Sequence, residues 1–376
     1  MLSSIFLEKD PVKPHQNKRA YTCGGTGGHV YPIIAIAQEL SDTEAIFIGS
    51  ENREDSHIIP RYGYNFKSIT ASNNNIFKII KGFLQARKIL KQEKVTCLIS
   101  SGGYLTLPVV LAAATCKLPI YLLEQNVIPG HVNRILSYIA TLTCLTFEES
   151  RSFFKTSKLM ITGNPVRKQF LEDTQFKWLK EIDRPQLPTM LVFGGSQGAR
   201  SLNTLFFDHH AHFLSAPECL IHITGKNAFE DTKNQYKKMP NLQMESLSEG
   251  SIIKNEKGDI KIILMPYFEK MDWLYENVSW VVSRAGATTL AELLYFSKKA
   301  VLIPYPYAKD NHQVFNAEAF IAKGSGKWIS EDVLTFDLIL DAIHTPFPVL
   351  NEDIDKNARE KIAKIIKEGC PCTPKL

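Results

Sequence analysis

Six short apolar runs, each ending in glycine or polar residues, alternate with helical stretches along the chain. The runs cover residues 45–48, 97–99, 120–123, 190–193, 280–282 and 300–303. Strands that alternate with helices in this way predict a parallel sheet covered on both faces. The polar residues that follow the strands then meet at one edge of the sheet, which is where open α/β sheets bind ligands.

Two glycine-rich segments predict that this arrangement occurs twice. GGTGGH begins at Gly24 and GGSQGAR at Gly194, and each follows a candidate strand and precedes a candidate helix. The length of 376 residues also suits two domains. We therefore predict Rossmann-like domains over residues 18–167 and 188–350, with the break near 168–188. A helix over residues 353–367 is predicted at the end, and we expect residues 351–369 to pack back toward the first domain.

Composition limits the kind of protein. Hydrophobic residues make up 44% and charged residues 22%, close to soluble globular averages. A formal net charge of +5 is too small to imply nucleic acid as a partner. The 7 cysteines are scattered, which favours a reduced, cytosolic protein. No stretch has the length and apolarity of a membrane span, and we expect residues 1–17 to be a flexible leader, not a secretory signal.

The first glycine segment is the strongest candidate ligand loop. Its four glycines allow close approach of the backbone to a ligand, and the N-terminus of the following helix favours an anion. The alternative is a tight turn without a ligand. His29 lies directly behind the glycines, where a neutral imidazole could act as a general base or simply form a structural hydrogen bond.

Three other segments are candidates for contact with phosphate or sugar. Ser196 belongs to the second glycine turn, which is typical of a phosphate cradle. Glu292 follows small residues at a helix start and could bind a ribose diol or be an exposed helix carboxylate. Arg167 follows the turn at Gly163 and could bind diphosphate oxygens or be solvated. The sequence contains no HExxH or paired CxxC motif, so it does not indicate a metal site.

Residues 76–91 have two open interpretations. At 100° per residue their bulky apolar side chains fall on one broad arc, with cations on the other side and at the flanks. The arc contains Ile76, Phe77, Ile79, Ile80, Phe83, Leu84 and Leu90. One interpretation is an amphipathic helix packed on the core. The other is a basic, apolar patch that rests on an anionic membrane surface.

Taken in order, these motifs resemble the MurG family of peptidoglycan glycosyltransferases from about residue 19 to residue 367. The shared motifs are GGTGGH, SGGY at 101–104, EQN at 124–126, GNPVR at 163–167, GGSQGAR at 194–200, GATTLAE at 286–292 and KDNHQ at 309–313 with Asn316 and Ala317. The sequence departs from the family in Leu123, where many members carry His, and in a polar first strand. Residues 246–259 look longer than the family needs and are predicted to form a surface loop.

The resemblance implies a GT-B fold with a cleft between its two domains and UDP-N-acetylglucosamine as the donor. It implies His29 as the catalytic base on the acceptor hydroxyl. The residues implied in donor binding are Thr26, Gly27, Gly28, Asn126, Arg167, Ser196, Phe268, Ala287, Thr288, Thr289, Leu290, Ala291, Glu292 and Gln313. Neither a cofactor nor a divalent ion is indicated.

The implied reaction is inverting transfer of N-acetylglucosamine to the C4 hydroxyl of a lipid-linked muramoyl-pentapeptide in peptidoglycan synthesis. The implied partners are the donor, this acceptor and an anionic membrane surface, and the implied location is the cytoplasmic face of the cell membrane. Two alternatives remain at this point. One is another GT-B enzyme, such as a glycolipid synthase or a UDP-N-acetylglucosamine epimerase. The other is a nucleotide-sugar-binding protein without turnover.

Overall fold

A computed structural model describes residues 18–24, 27–51, 53–71, 75–167, 187–240, 242–324, 326–347 and 356–369. Two sheets, each flanked by helices, form two Rossmann-like domains. The prediction of an α/β GT-B architecture with two such domains is confirmed. The predicted break near 168–188 lies almost wholly outside the described residues, as does the leader over residues 1–17.

The first domain contains a seven-stranded parallel sheet of order β3-β2-β1-β4-β5-β6-β7. Its strands are β1 (Lys18–Thr22), β2 (Glu44–Ser50), β3 (Asn65–Ile69), β4 (Val95–Ser100), β5 (Ile120–Glu124), β6 (Leu142–Leu145) and β7 (Leu159–Ile161). Its helices are α1 (Gly27–Glu39), α2 (Glu54–Arg61), α3 (Ile76–Gln92), α4 (Leu107–Thr115) and α5 (His131–Leu136). Consecutive residues such as Ala20 and Tyr21 enter separate apolar clusters, one on each face of the sheet.

The polar strand β1 lies in the interior of this sheet, between β2 and β4. Arg19 is only 1% exposed, yet its guanidinium forms an ion pair with Asp42 at 2.8 Å. A buried charge is tolerated only when it is paired and hydrogen-bonded, so the ion pair with Asp42 and the hydrogen bond to Thr43 help to allow an arginine in an interior strand.

The second domain contains an eight-stranded sheet of order β10-β11-β12-β9-β8-β13-β14-β15. Its strands are β8 (Thr189–Phe193), β9 (Cys219–Ile223), β10 (Gln243–Leu247), β11 (Gly250–Lys254), β12 (Ile260–Met265), β13 (Trp280–Ser283), β14 (Ala300–Leu302) and β15 (Gly326–Trp328). Its helices are α6 (Arg200–Asp208), α7 (His210–Ser215), α8 (Phe229–Lys237), α9 (Met271–Asn277), α10 (Ala287–Tyr295), α11 (His312–Ala322) and α12 (Phe336–His344).

The prediction of a surface loop over residues 246–259 is wrong. Strands β10 and β11 form an antiparallel hairpin, and β11 also pairs antiparallel with β12. Ile252 and Ile253 in β11 are buried and join the clusters on opposite faces of the sheet. The hairpin therefore extends the sheet instead of standing apart from it.

Helix α3 divides the predicted apolar arc between core and solvent. Leu90 is buried, and Phe83 packs partly buried against the core of the first domain. In contrast, four apolar residues are highly exposed: Ile76 (60%), Phe77 (79%), Ile80 (50%) and Leu84 (58%). The interpretation of residues 76–91 as a helix packed on the core thus applies to one side of α3 only, and the membrane surface stays a prediction for the exposed side. No helix among the described residues is long and apolar enough to cross a membrane.

The final helix, α13 (Ala358–Gly369), lies against the first domain. Ile362, Ala363 and Ile366 join an apolar cluster with residues of α1 and the first sheet. Arg359 pairs with Glu39 of α1 at 3.1 Å and donates to the carbonyl oxygen of Val166 at 3.0 Å. The predicted start of this helix at residues 353–355 lies outside the described residues.

Candidate active site in the interdomain cleft

His29, in the first turn of α1, is held in one orientation. Its Nδ1 lies 2.8 Å from the carbonyl oxygen of Ser101, in the SGGY loop after β4. A carbonyl oxygen can only accept, so Nδ1 carries the proton and Nε2 presents a lone pair. Burial lowers the pKa of His29 from its ordinary value of 6.5, although hydrogen bonds to Ser101 and Gln125 oppose this; His312 of the second domain adds a smaller lowering effect. The imidazole is therefore neutral near pH 7, as a general base requires.

The glycines around His29 permit a close contact between two loops. Gly103 has φ +93°, and a Cβ there would lie 2.6 Å from the Cα of Gly24. The SGGY loop therefore packs directly on the GGTGGH loop. Gly27 and Gly28 are the first residues of α1, while Thr26 lies outside the described residues.

Glu124, at the end of β5, organises the loop that carries Asn126. Its buried carboxylate accepts from the backbone N–H of Asn126 (3.1 Å), the backbone N–H of Gly130 (3.1 Å) and the side chain of Asn133 (2.9 Å). These donors satisfy a carboxylate whose burial raises its pKa. Asn126 in turn accepts from Asn316 of α11 at 3.1 Å, which ties this loop to the second domain.

The first turn of α10 faces the first domain. Thr288 donates from Oγ1 to the carbonyl oxygen of Gly28 at 2.9 Å, and the carbonyl of Ala287 accepts from Asn164 at 3.3 Å. Thr289 and Ala291 are partly buried, and Leu290 is buried in the core of the second domain. These contacts bring the start of α10 against the glycine loop that precedes His29.

The remaining predicted donor residues lie around the second sheet. Ser196 is exposed on the loop after β8, whereas Phe268 is buried and meets Trp273 edge-on. Gln313 accepts from the backbone N–H of Tyr305 at 2.9 Å, which fixes its amide against the loop after β14. Within the described residues, no hydrogen bond joins Ser196 or Gln313 to another predicted site residue.

Arg167 and Glu292 form a buried ion pair across the cleft at 3.1 Å. Arg167 also donates to the hydroxyl of Tyr62 at 2.7 Å, and its guanidinium lies 3.9 Å from the centre of the Tyr31 ring. Glu292 accepts from the hydroxyl of Tyr275 at 3.1 Å. Burial raises the pKa of Glu292, and Arg167 opposes that rise. Glu292 is thus neither exposed nor free in this closed arrangement.

Further contacts close the cleft around this ion pair. The hydroxyls of Tyr31 and Tyr267 lie 2.6 Å apart, and Arg61 pairs with Glu269 at 2.6 Å. Glu54 accepts from the backbone N–H of Gly27 at 2.9 Å and from the side chain of Gln197 at 2.6 Å. One carboxylate therefore bridges both glycine loops.

The structure brings three groups of predicted site residues to the cleft: the His29 loop, the start of α10, and the pair Arg167 and Glu292. Sequence reasoning missed the residues that hold these groups. Among them are Glu54, Tyr31, Tyr62, Tyr267 and Tyr275. Glu124, which orders the loop of Asn126, could have been recognised as a site residue, because its carboxylate directly follows the apolar run of β5. The tyrosines have no such signal in the sequence, since their partners are distant along the chain.

Comparison with known proteins agrees with this architecture. Residues 20–144 match the Glycosyltransferase family 28 N-terminal domain, and residues 189–368 match the Glycosyltransferase family 28 C-terminal domain. The chain resembles the UDP-N-acetylglucosamine--N-acetylmuramyl-(pentapeptide) pyrophosphoryl-undecaprenol N-acetylglucosamine transferase of Halothermothrix orenii. The two are 35% identical over 84% of this chain and 86% of that protein.

Solved structures share the fold. The crystal structure of Acinetobacter baumannii MurG matches with a TM-score of 0.68 and 24% identity, over 94% of this chain and 99% of that one. The UDP-GlcNAc 2-epimerase from Methanocaldococcus jannaschii matches with a TM-score of 0.63 and 13% identity, over 94% of this chain and 100% of that one. Because a transferase and an epimerase share it, the fold alone does not define the reaction.

Fold and domain matches together define a family 28 glycosyltransferase of GT-B architecture. Within that class, the chain belongs to the MurG family, the UDP-N-acetylglucosamine--N-acetylmuramyl-(pentapeptide) pyrophosphoryl-undecaprenol N-acetylglucosamine transferases.

Proposed function

We propose that this enzyme transfers N-acetylglucosamine from UDP-N-acetylglucosamine to the C4 hydroxyl of lipid-linked N-acetylmuramoyl-pentapeptide, with inversion at the anomeric carbon. Membership of the MurG family supports the two substrates. The observation that carries the chemistry is the orientation of His29. Its Nδ1 proton is engaged by Ser101, so Nε2 is the atom available to a substrate.

In this mechanism His29 acts as the catalytic base. Nε2 accepts the proton of the C4 hydroxyl as the oxygen forms a bond to the anomeric carbon. The bond from that carbon to the diphosphate oxygen breaks, and UDP leaves with the electron pair. A base with a lowered pKa remains unprotonated at neutral pH and contributes typically about 10²–10⁴-fold to the rate.

The departing UDP carries negative charge, which Arg167 and the N-terminus of α10 are suited to stabilise. A guanidinium matches diphosphate oxygens, and the unpaired N–H groups of a helix start favour an anion. We infer that the donor binds mainly to the domain over residues 188–350, with Ser196, Phe268, Gln313 and residues 287–292 around it. The acceptor then binds to the domain over residues 18–167, where His29 lies.

Domain closure provides the exclusion of water that transfer to an alcohol requires. Besides the Arg167–Glu292 pair, a further ion pair and several hydrogen bonds span the cleft. Opening admits the substrates, and closing on the donor limits its hydrolysis.

We further propose that the enzyme is peripheral on the cytoplasmic face of the membrane, docked through the exposed side of α3. The lipid chain of the acceptor must remain in the bilayer while its sugar enters the cleft. Ile76, Phe77, Ile80 and Leu84 offer an apolar surface on the acceptor-side domain. The exposed side chains of Lys78, Lys81, Lys88 and Lys91 on the same helix suit an anionic leaflet.

One assay tests the proposed reaction against its rivals. Purified enzyme is mixed with labelled UDP-N-acetylglucosamine, with and without a lipid-linked muramoyl-pentapeptide. We expect a β-1,4-linked disaccharide product only when the acceptor is present. Conversion of the labelled donor without acceptor would indicate an epimerase, and binding of the donor without turnover would indicate a binding protein.

A further inference from the structure

Arg167 and Glu292 pair with each other in the closed cleft, although each is proposed to bind a different part of the donor. Their ion pair is 3.1 Å long, and both side chains are buried. While the pair is intact, its guanidinium and carboxylate neutralise one another. This inference rests on the proposed function, because donor binding must separate the pair. The diphosphate then replaces Glu292 beside Arg167, and the ribose diol replaces Arg167 beside Glu292.

Each member of the pair has a second contact that does not depend on the other domain. Arg167 donates to the hydroxyl of Tyr62 at 2.7 Å, in the segment that follows α2. Glu292 accepts from the hydroxyl of Tyr275 at 3.1 Å, and both belong to the second domain. When the cleft opens, Arg167 can therefore stay with Tyr62, and Glu292 with Tyr275.

The hydroxyls of Tyr62 and Tyr275 act as hydrogen-bond acceptor and donor, respectively, as these roles require. A guanidinium has only donors, so Tyr62 accepts from Arg167. An ionised carboxylate has only acceptors, so Tyr275 donates to Glu292. Burial raises the pKa of both tyrosines, which keeps their protons in place at neutral pH. A separated, buried charge is costly unless a polar group remains bound to it, and these hydroxyls remain.

We propose that Tyr62 and Tyr275 are positioning residues that act on different parts of the donor. Tyr62 holds Arg167 for the diphosphate, and Tyr275 holds Glu292 for the ribose diol. Loss of either hydroxyl weakens donor binding, but only the loss at Tyr275 depends on the ribose hydroxyls.

The test compares binding of UDP and 2′,3′-dideoxy-UDP to the full chain by calorimetry. We expect Tyr62→Phe to weaken both ligands about 10-fold, the size of a lost hydrogen bond to a charged group. Tyr275→Phe should weaken UDP about 10-fold and leave the dideoxy ligand nearly unchanged. In the transfer assay both variants should raise KM for the donor and leave kcat within about 2-fold, because neither touches the reacting atoms.

Tyr64→Phe is the matched control, since Tyr64 follows Tyr62 closely in the chain and packs on Phe47. It should bind both ligands as the wild type does. The ratio of the two affinities, measured on one sample, does not depend on the fraction of folded protein. An unchanged ratio in Tyr275→Phe, or unchanged affinities in Tyr62→Phe, would overturn the proposal. Failure of the proposed function is distinct, because the wild type would then form no disaccharide in the transfer assay, whatever its affinity for UDP.

Discussion

His29 and Ser101 are joined by a 2.8 Å hydrogen bond between the imidazole Nδ1 and a backbone carbonyl oxygen. The bond crosses from α1 to the loop after β4, so two neighbouring strands of the first sheet jointly aim the ring. A side chain that only stabilised the loop would need nothing at Nε2. A base needs a lone pair at that atom, and this hydrogen bond leaves one there.

The first prediction concerns this imidazole. His29→Ala should lower turnover by about 10²–10⁴-fold, because the acceptor hydroxyl loses its base. Donor affinity should change little, since the donor binds mainly to the other domain. Steady-state rates and UDP binding measured on one preparation check both statements. The exposed His57 is a suitable control, and its alanine variant should behave as the wild type does. Near-normal turnover of the His29 variant would remove it from the base role.

The second prediction is the pH dependence of the reaction. Burial lowers the pKa of His29 from 6.5, so the neutral base persists below that pH. The acid limb of kcat/KM should therefore lie below pH 6.5 and fall tenfold for each pH unit at its acidic end. An acid limb above pH 6.5 would contradict the assignment of His29 as the titrating group.

The third prediction concerns Glu292. Glu292→Ala should weaken UDP binding by about 1–3 kcal/mol, the cost of losing a charged hydrogen bond to the ribose. The loss should shrink for 2′,3′-dideoxy-UDP, which lacks the partner hydroxyls. Stability should also fall, because the substitution leaves Arg167 buried without this carboxylate. Equal losses with both ligands would assign Glu292 a purely structural role.

The fourth prediction concerns membrane docking. Phe77→Ser combined with Ile80→Ser should weaken binding to anionic vesicles, because both side chains are exposed on α3. Wild-type binding should weaken with salt, since each cation near the leaflet adds about 1 kcal/mol at most. Activity on a short-chain, water-soluble acceptor should remain nearly intact.

A matched control for docking is available in the second domain. Val333 and Leu338 are also exposed apolar residues, and their double serine variant should bind vesicles normally. Phe83→Ser is a different case, because Phe83 packs against the core and its loss should destabilise the fold. If the Phe77 and Ile80 variant folds and still binds vesicles as the wild type does, the docking surface lies elsewhere.

The fifth prediction concerns stability and pH at Asp55, in the first turn of α2. Burial raises the pKa of this carboxyl from 3.8 to about 6. Protonation therefore favours the folded state, and the contribution is present at low pH and lost as the pH rises from about 4 to 6. The contribution of Asp55 to the free energy of unfolding changes by at most about 3 kcal/mol over this range. Urea unfolding at pH 4.5 and pH 8 measures the free energy of unfolding at both pH values. We expect the part of its decrease that Asp55 causes to be absent in Asp55→Asn.

Asp337 provides the comparison for Asp55, since it lies in the first turn of α12 but is exposed. Asp337→Asn should leave the pH dependence of unfolding unchanged. The same pH dependence in wild type and Asp55→Asn would show that other groups cause it.

Local pattern was sufficient to predict parallel strands in both domains, because six of the strands contain apolar runs that end in glycine or polar residues. It failed at residues 246–259. Ile252 and Ile253 are adjacent apolar residues buried on opposite faces, so the segment lacks the alternation of a one-sided strand. On α3, periodicity placed Phe77 and Phe83 on one apolar arc, whereas in the structure Phe77 is exposed and Phe83 packs against the core. Periodicity alone could not separate the two, because the division depends on where α4 packs.

The candidate site was predictable only in part for a related reason. Glycine loops and a histidine at a helix start have local signals, which made His29 a candidate, whereas its role as the base was implied by the family resemblance and stays a prediction. The partnership of Tyr31 with Tyr267 joins residues 236 positions apart. Such contacts depend on how two domains meet, which no local pattern in the sequence records.

The packing of Gly24 against Gly103 bears on how substitutions in this enzyme should be interpreted. Any side chain at residue 103 would strike the backbone of residue 24, whatever ligand the cleft holds. Intolerance of change at Gly103 would therefore report the fit between two loops and not contact with substrate. In a mutational scan, Gly103 should be sensitive even in a selection for folded protein alone, whereas His29 should be sensitive only in a selection for activity.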